Sequence, residues 1–391
     1  MGWPAQASPE PVGVGVVGLG TAGRQAVREL LRSSTCRLAA VCDADQGVAQ
    51  RVASGHDVPP YGDVEQLCGD PAVEAVYVAT PTFLHVEHAA MAMKLGRHVL
   101  VEKPVAATSA EALELVRMAD IAGVAVMAVN TRGRDAPVTQ MAECVRAGRI
   151  GRLLNITNVW QTNWMLRPRF EYELDPARGG GIVFRQAPHQ VEIVREIAGA
   201  PVRAVTAVAH PVTDPVATVG HYSAVLEFAT GASAVLAYNG CGFLDSGLLT
   251  FGVREAGLPA DDTASREWRQ ARTGEMDKYS EAGLRHRGGD ASARSPEECW
   301  GFSGLTIVNG DRGDIRQTID GVSVYGVDGR ADLPAETGVS GRARDLDDLC
   351  SSLRTGARSQ HDARWGAETV AVCEALWRSA HEHKRVEVEA L

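Results

Sequence analysis

The sequence lacks any apolar run approaching a membrane span. Stretches such as "AVYVAT" and "VAVMAV" fall far short of the roughly 20 residues a helix needs to cross a bilayer. It has no surplus of positive charge either. Lys and Arg total 39 against 49 Asp and Glu, a formal net charge of -10, which excludes a general binder of nucleic-acid backbone, since such proteins concentrate basic surface. Neither a membrane nor a nucleic acid is an expected partner. No CxxC pair occurs among the eight cysteines, and the nearest two are Cys36 and Cys42. That spacing fits neither a usual zinc site nor a disulfide framework, so reduced thiols and a cytoplasmic setting are expected. The opening "MGWPAQASPEP" has no charged start followed by an apolar core, so residues 1–11 read as a loose tail. A GxxxxGK phosphate loop, a Ser in a nucleophile elbow, internal repeats and low-complexity tracts are also missing. His85 with His88, and His189 with Glu192, can share a helix face, but neither set completes a ligand shell, and no metal is expected.

What is present is a chain of 391 residues, 45% hydrophobic and 23% charged, the composition of a globular protein long enough for two domains. "VGVGVVGLGTAG" begins as a buried parallel strand and passes into Gly18-Leu19-Gly20-Thr21-Ala22-Gly23. Ala22, Ala26 and Leu30 follow at helical spacing, so the glycines lie at a strand-to-helix turn. There Gly18 lets the chain turn, Gly20 leaves room for a pyrophosphate, and Gly23 lets helix and strand approach closely. Amides at the positive end of the helix then hold the phosphates. A second apolar run, "RLAAVCDAD", ends in Asp43, where an acid meets ribose hydroxyls in dinucleotide sites. An acid there repels a 2′-phosphate, so NAD is favoured and NADP is the alternative. Asp45 adds to that repulsion if it faces the same way.

"VEAVYVAT", "RHVLVEKP" and "VAVMAVN" read as further strands, with an amphipathic helix around Val86 to Leu95. A capping box of Thr108 and Glu111 precedes another helix, which carries Leu113, Val116 and Ala119. Strand and helix in alternation predict a doubly wound parallel sheet over residues 12–132, with ligands beyond the carboxyl ends of its strands. Thr80, Pro81, His85, Glu102, Lys103, Pro104 and Asn130 fall at those ends. They join Gly18, Gly20, Thr21, Ala22, Gly23 and Asp43 as candidates for holding the cofactor. Lys103, fixed by the Pro behind it, suits proton transfer or the polarising of an oxygen. The plainer alternative is a surface ion pair with Glu102.

Beyond Gly151, "LLNITNVW", "RAVTAVAH", "SAVLEFAT", "SAVLAYNG" and "LLTFGV" alternate at strand period without intervening helices. They predict a mostly antiparallel sheet in a second domain, 133–391. "ATGASA" is a turn between two of them. Residues 254–298 are polar and read as a long mobile insertion, with a lid as one role. A closing helix is expected at about 363–383, with Val370, Cys373, Leu376 and Trp377 inward, followed by a strand in "RVEVEA". Pro188 suits the first turn of a helix whose stripe is Val191, Val194 and Ile197. His189 then sits in that first turn, where the helix dipole disfavours imidazolium. On residue type alone a structural histidine is the first reading and a proton acceptor the alternative, and Glu192 pulls the other way if it pairs with the ring.

Together "GLGTAG", "AVCDAD", "ATPTFLHVEHAAMAMKLGRHVLVEKP" and "GGGIVFRQAPHQVEIV" resemble the Gfo/Idh/MocA family: glucose–fructose oxidoreductase, inositol dehydrogenase and the MocA proteins. The resemblance implies a Rossmann domain followed by an α/β domain built on a large open sheet. It also implies hydride transfer between a carbon–oxygen bond and a nicotinamide cofactor, and a homo-oligomer (dimer or tetramer). A Lys, an Asp and a His line the reactive carbon in that family. Carried over by motif, Lys103 and His189 are catalytic, and Arg185 stands where the Asp is usual. Ala187 and Glu192 also depart from the pattern.

"RPR…ELD…GGGIVFRQAPHQ" is similar to one branch, that of the phthalate 4,5-cis-dihydrodiol dehydrogenases. A guanidinium cannot exchange protons near neutrality but grips a carboxylate through two parallel hydrogen bonds. Arg185, with Trp164, Arg167 and Arg169, is therefore read as substrate-binding, for a small molecule such as a carboxylated ring diol. The alternative for Arg167 and Arg169 is pairing with Glu171 and Glu173 on a solvated loop. Rival functions are a sugar or cyclitol dehydrogenase, a ketone or imine reductase on a biosynthetic intermediate, and an NAD(H)-sensing protein without turnover.

Overall fold

A computed structural model describes residues 10–167, 169–211, 218–260, 300–389 and 391. Most of the expected tail, and residues 261–298 of the expected insertion, lie outside the described residues. The chain divides into two compact units, Met1–Thr131 with Gly341–Val370 and Leu391, and Arg132–Ser340 with Ala371–Ala390. The expectation of one uninterrupted second domain over 133–391 therefore differs from the structure at 341–370, which returns to the first unit.

The first unit is a six-stranded, wholly parallel sheet in the order β3-β2-β1-β4-β5-β6. Its strands are β1 (Val12–Val17), β2 (Cys36–Cys42), β3 (Pro60–Tyr61), β4 (Ala75–Val78), β5 (His98–Val101) and β6 (Val126–Ala128). Strand residues alternate between faces, and each face has its own core. Val14, Val16, Tyr77, Leu100 and Met127 pack with helices α1 (Thr21–Leu30) and α2 (Gln46–Ser54). Val76, Val78, Val99 and Val101 pack with α3 (Val64–Gly69), α4 (His85–Lys94) and α5 (Ser109–Ala122). The expected capping box forms, with Glu111 N–H on Thr108 Oγ1 at 3.2 Å and Thr108 N–H on Glu111 Oε2 at 3.3 Å. The buried stripe of α5 is Ala112, Leu115 and Val116, so Val116 faces inward as expected, Ala119 packs beside it, and Leu113 is half-buried.

The returning segment completes both faces. Leu346, Leu349, Cys350 and Leu353 of α9 (Gly341–Thr355) enter the first core. Ala363, Ala367 and Val370 of α10 (Ala363–Glu382) enter the second.

His98, at the head of β5, is buried and accepts the Ala125 N–H at Nδ1 (3.0 Å). Burial lowers its pKa to about 4, so the folded unit binds this proton less readily than the unfolded chain. The stabilisation is complete above the unfolded value near 6.5 and is lost as pH falls towards about 4, a change of about 3 kcal/mol. His98→Asn, which keeps an acceptor in place, is expected to lack this part of the pH dependence in urea melts between pH 7 and 4. An unchanged acid profile would show that His98 is not its source.

The second unit holds a nine-stranded sheet in the order β14-β13-β12-β11-β7-β10-β9-β8-β15, antiparallel throughout except between β7 and β10. The strands are β7 (Leu153–Gln161), β8 (Val202–Pro211), β9 (Val219–Phe228), β10 (Ser233–Asn239), β11 (Leu305–Gly310), β12 (Gly313–Gln317), β13 (Gly321–Gly326), β14 (Gly329–Pro334) and β15 (Val386–Glu387). One face carries Ile156, Trp160, Tyr222, Leu226, Leu236 and Tyr238. These pack with α6 (Ala136–Arg146), α7 (Gly181–Arg185), α8 (Ala187–Ala198), and Cys373 and Leu376 of α10.

"LLTFGV" is not a strand. Asp245 accepts the Gly247 N–H, a 3-10 turn covers Ser246–Leu249, and Phe251 and Gly252 both take positive φ. Turn chemistry at Asp245-Ser246-Gly247 overrides the apolar run, and Leu248, Leu249 and Phe251 are left exposed. The head of the expected mobile insertion is ordered as well. Glu255–Gly257 forms a 3-10 turn, Val253 bridges Pro259, and Arg254 lies 3.3 Å from Asp245.

Candidate active site

In an open α/β sheet, ligands bind where the strand order reverses, here between the ends of β1 and β4. At that point the three glycines answer different demands. Gly18 has φ +86, and a Cβ on it would stand 2.7 Å from the Ala79 carbonyl oxygen. A Cβ on Gly23 would lie 1.8 Å from the Gly18 carbonyl oxygen, so α1 approaches β1 as closely as two backbones can. A Cβ on Gly20 would meet nothing within 4 Å. That open side of the turn, next to the α1 N-terminus with no side-chain cap and no acid in its first turn, fits a pyrophosphate.

Asp43 reaches the same turn. Its Oδ2 accepts the Leu19 N–H at 2.8 Å and its Oδ1 accepts the Asp45 N–H at 2.9 Å. Lone pairs remain on both oxygens for ribose hydroxyls. Asp45 turns to its own helix and caps α2 through Gly47 N–H and Val48 N–H. These residues would hold the adenosine and diphosphate of NAD.

The remaining expected contacts separate into surface and support. Thr80 is half-buried, with Oγ1 3.1 Å from His88 Nδ1, and Pro81 leads the 3-10 turn Thr82–Leu84. His85 is 1% exposed, with its ring between two carbonyls: Nδ1 is 2.8 Å from Pro104 O and Nε2 is 2.8 Å from Thr80 O. It straps the end of β4 to the segment after β5.

Glu102 is likewise enclosed. Its Oε1 accepts from Tyr77 Oη at 2.8 Å and from Arg342 Nη1 at 2.7 Å, and its Oε2 accepts the Lys103 N–H at 3.2 Å. Burial alone pushes this carboxyl up, but Arg342, Lys103 and the Tyr77 hydroxyl bring it below the usual carboxylate range. The alternative of a surface Glu102–Lys103 pair is thereby corrected, because Glu102 is buried and its charge is met by Arg342. Asn130 is fully buried, and its N–H donates to Asp345 Oδ2 at 3.2 Å. Lys103 is half-buried, behind a cis peptide to Pro104.

In the second unit, His189 is in the first turn of α8, with Pro188 just before it. Its ring lies edge-on to Trp160 at 6.0 Å and is 8% exposed. The next residue, Gln190, anchors that turn. It donates to Asn158 of β7 and to Ala237 O of β10, and it accepts from the Tyr222 hydroxyl of β9. Three strands therefore orient the helix end that presents His189.

The arginines make different contacts from one another. Glu173, 4% exposed, lies 3.7 Å from Arg185 Nη2 and 3.8 Å from Arg169 Nη1. Arg169 also stacks 3.8 Å over the Trp164 ring and donates to Trp164 O. Arg169 thus pairs with an acid as in the alternative reading, but the pair is buried and not on a solvated loop. Trp164 has one face covered by its own chain.

Arg167 differs. Its Nε donates to Asn163 Oδ1 at 3.0 Å, and among the described residues no carboxylate lies within ion-pair distance of it. Burial lowers its proton affinity and Glu255 only partly offsets that. Glu255 is itself 3.2 Å from Arg132, which is also 3.4 Å from Asp135.

Tyr77, Arg342, Asp345 and Gln190 were not singled out in the sequence, since each acts through a partner that no short spacing identifies. Glu173 was named only as a partner for arginines on a solvated loop, and it is buried. Among the described residues, no three His, Cys, Asp or Glu side chains gather as a metal site, and no helix is long and apolar enough to cross a membrane.

Two family models match the chain in order: the GFO/IDH/MocA oxidoreductase family's NAD-binding Rossmann fold over residues 12–130, and its C-terminal domain over residues 138–241. Along most of its length the chain is similar to 1-carboxy-3-chloro-3,4-dihydroxycyclohexa-1,5-diene dehydrogenase of Comamonas testosteroni, with 29% identity covering 93% of each chain. Inositol 2-dehydrogenase 1 of Saccharopolyspora erythraea is 40% identical over 144 residues, 36% of this chain and 43% of that one. A solved protein from Bordetella bronchiseptica RB50 superposes with a TM-score of 0.88 at 29% identity, covering 96% of this chain and 100% of that one.

Proposed function

The chain belongs to the GFO/IDH/MocA family of NAD-dependent oxidoreductases acting on hydroxyl groups, and on that premise we propose that it oxidises a cis-dihydrodiol of an aromatic carboxylic acid to the catechol. The observation that carries this reading is the likeness to the Comamonas carboxylated-diene dehydrogenase across 93% of both chains. Arg167, half-buried and with no acid within ion-pair distance among the described residues, supports it from the chain's own chemistry. NAD, when bound, supplies the hydride acceptor. His189 takes the proton of the substrate hydroxyl, and Lys103 steadies the negative charge that develops on the oxygen. The resulting ketone tautomerises to an aromatic diol, which makes the oxidation effectively one-way. Arg167 holds the ring carboxylate. Arg185 and Arg169 share Glu173.

A second reading, a sugar or cyclitol dehydrogenase, is favoured by the inositol dehydrogenase relative, whose match is confined to 36% of this chain. Arg167→Met separates the two. With carboxylated dihydrodiols, KM is expected to rise by about 10- to 100-fold, the loss of a charge-assisted hydrogen bond. With neutral diols, sugars or inositols it should change by less than about 2-fold, the effect of an ordinary surface substitution. Equal losses on acidic and neutral substrates would remove Arg167 as the carboxylate anchor.

A further inference from the structure

Helix α9 follows β5 by 240 residues, yet its first turn supplies two buried charged groups to the ligand-facing edge of the parallel sheet. Arg342 reaches Glu102 and Tyr77 at the ends of β5 and β4, and its Nη2 donates to Gln25 Oε1 of α1 at 3.2 Å. Asp345, one turn on, receives the Asn130 N–H beyond the end of β6. Arg342 is 7% exposed and Glu102 6%. An ion pair this enclosed is strongly destabilising to break, because the survivor is left charged in a low-dielectric site. The nearest beneficiary is Lys103. Its backbone N–H donates to Glu102 Oε2, and its ammonium is one of the charges that hold Glu102 ionised.

We propose that Arg342 is a positioning residue that takes up the charge of Glu102 and thereby sets the pH at which Lys103 gives up its proton. Its relevance to catalysis rests on the role given to Lys103 above, whereas the titration itself does not. With Arg342 present, the Glu102 carboxylate is divided between a guanidinium and a phenol, so Lys103 feels a nearly balanced pair. Without it, Glu102 remains ionised at the alkaline pH where an ammonium titrates, and Lys103 becomes its main counter-charge. Among the described residues, further titratable groups acting on Glu102 or Arg342 are the Tyr77 hydroxyl on β4, the His85 ring on α4, Asp345 on α9 and Glu29 on α1, with Arg28 of α1 beside Arg342. All of them stay in place in the variants below.

The chain has only four lysines, Lys94, Lys103, Lys278 and Lys384. Reductive ¹³C-methylation therefore allows each ε-amine to be followed by NMR in the full-length protein, without substrate. Lys103 is assigned by the signal lost in Lys103→Met. In Arg342→Met, Lys103 is expected to titrate at a pH about one higher, as for an ammonium beside an uncompensated carboxylate. In Glu102→Gln, which leaves the guanidinium without its acid, it should titrate lower than in the parent. The double variant should return close to the parent, and Arg342→Lys should leave the value where it is. A helix that served only to fill space would not produce shifts of opposite sign. If Arg342→Met does not fold, the Glu102→Gln and Arg342→Lys arms still decide. Lys103 titrating at one pH in every variant overturns the proposal. Parent-like turnover by Lys103→Met would instead remove the catalytic reading and leave the titration result standing.

Discussion

His189→Asn is expected to lower kcat for hydroxyl oxidation by about 10³-fold, the usual worth of a positioned proton acceptor, with KM and thermal unfolding little changed. The fold should tolerate it, because the first turn of α8 is held by Gln190 on three strands. Asn keeps a polar side chain of similar reach against Trp160 but cannot accept the hydroxyl proton. Lys103→Met is expected to cost about 10²-fold, the loss of one charge aimed at a developing alkoxide. Steady-state kinetics at saturating NAD, with melting curves on the same samples, check both. If each variant keeps kcat within about threefold of the parent, the proton-transfer scheme is wrong, since effects that small belong to unrelated surface positions.

Gly23→Ala and Gly20→Ala should part company, although both alter the same six-residue turn. At Gly23 the new methyl would stand 1.8 Å from the Gly18 carbonyl oxygen. That neighbour is backbone and cannot swing aside, so α1 must move off β1. Overpacking of this kind costs about 2–3 kcal/mol, and NAD binding should disappear with the displaced helix end. At Gly20 the methyl meets nothing within 4 Å, and φ is -68, which alanine accepts. Stability should stay within about 0.5 kcal/mol, while NAD affinity falls because the methyl occupies the side from which the pyrophosphate approaches. Calorimetric titration with NAD and thermal unfolding of both variants test the contrast. Undiminished NAD affinity in a stable Gly20→Ala protein would mean that the diphosphate does not pass there.

Much of the first unit was legible because its signals are local. Glycine spacing, the short continuous apolar runs in "AVYV" and "HVLV", and the Thr108–Glu111 capping box each involve residues a few positions apart, and each appears in place. The antiparallel strands of the second unit were read for the same reason, down to the "ATGASA" turn joining β9 to β10. "LLTFGV" misled because its apolar residues look like a strand, while the deciding turn residues stand just ahead of it, at Asp245 to Gly247.

The site was harder to read. Arg342 belongs to Glu102 across 240 positions and Asp345 to Asn130 across 215, separations at which no pattern in the chain announces a partner. Nothing local in the sequence ties Arg185 to Glu173, which lies 3.7 Å from its Nη2. His85, Glu102 and Asn130 fall at strand ends as expected, and their burial is a feature that spacing in the chain does not show.

The membership of 341–370 in the first unit bears on how the protein is made. A nascent chain that has emerged as far as Thr131 owns all six strands of the parallel sheet but lacks Leu346, Leu349 and Leu353 for one face and Ala363 and Ala367 for the other. At about 5–20 residues per second, the ribosome needs roughly ten seconds or more to deliver them. Throughout that interval the nucleotide-binding half waits incomplete while the other half is translated, which gives chaperones a defined window in which to shield it.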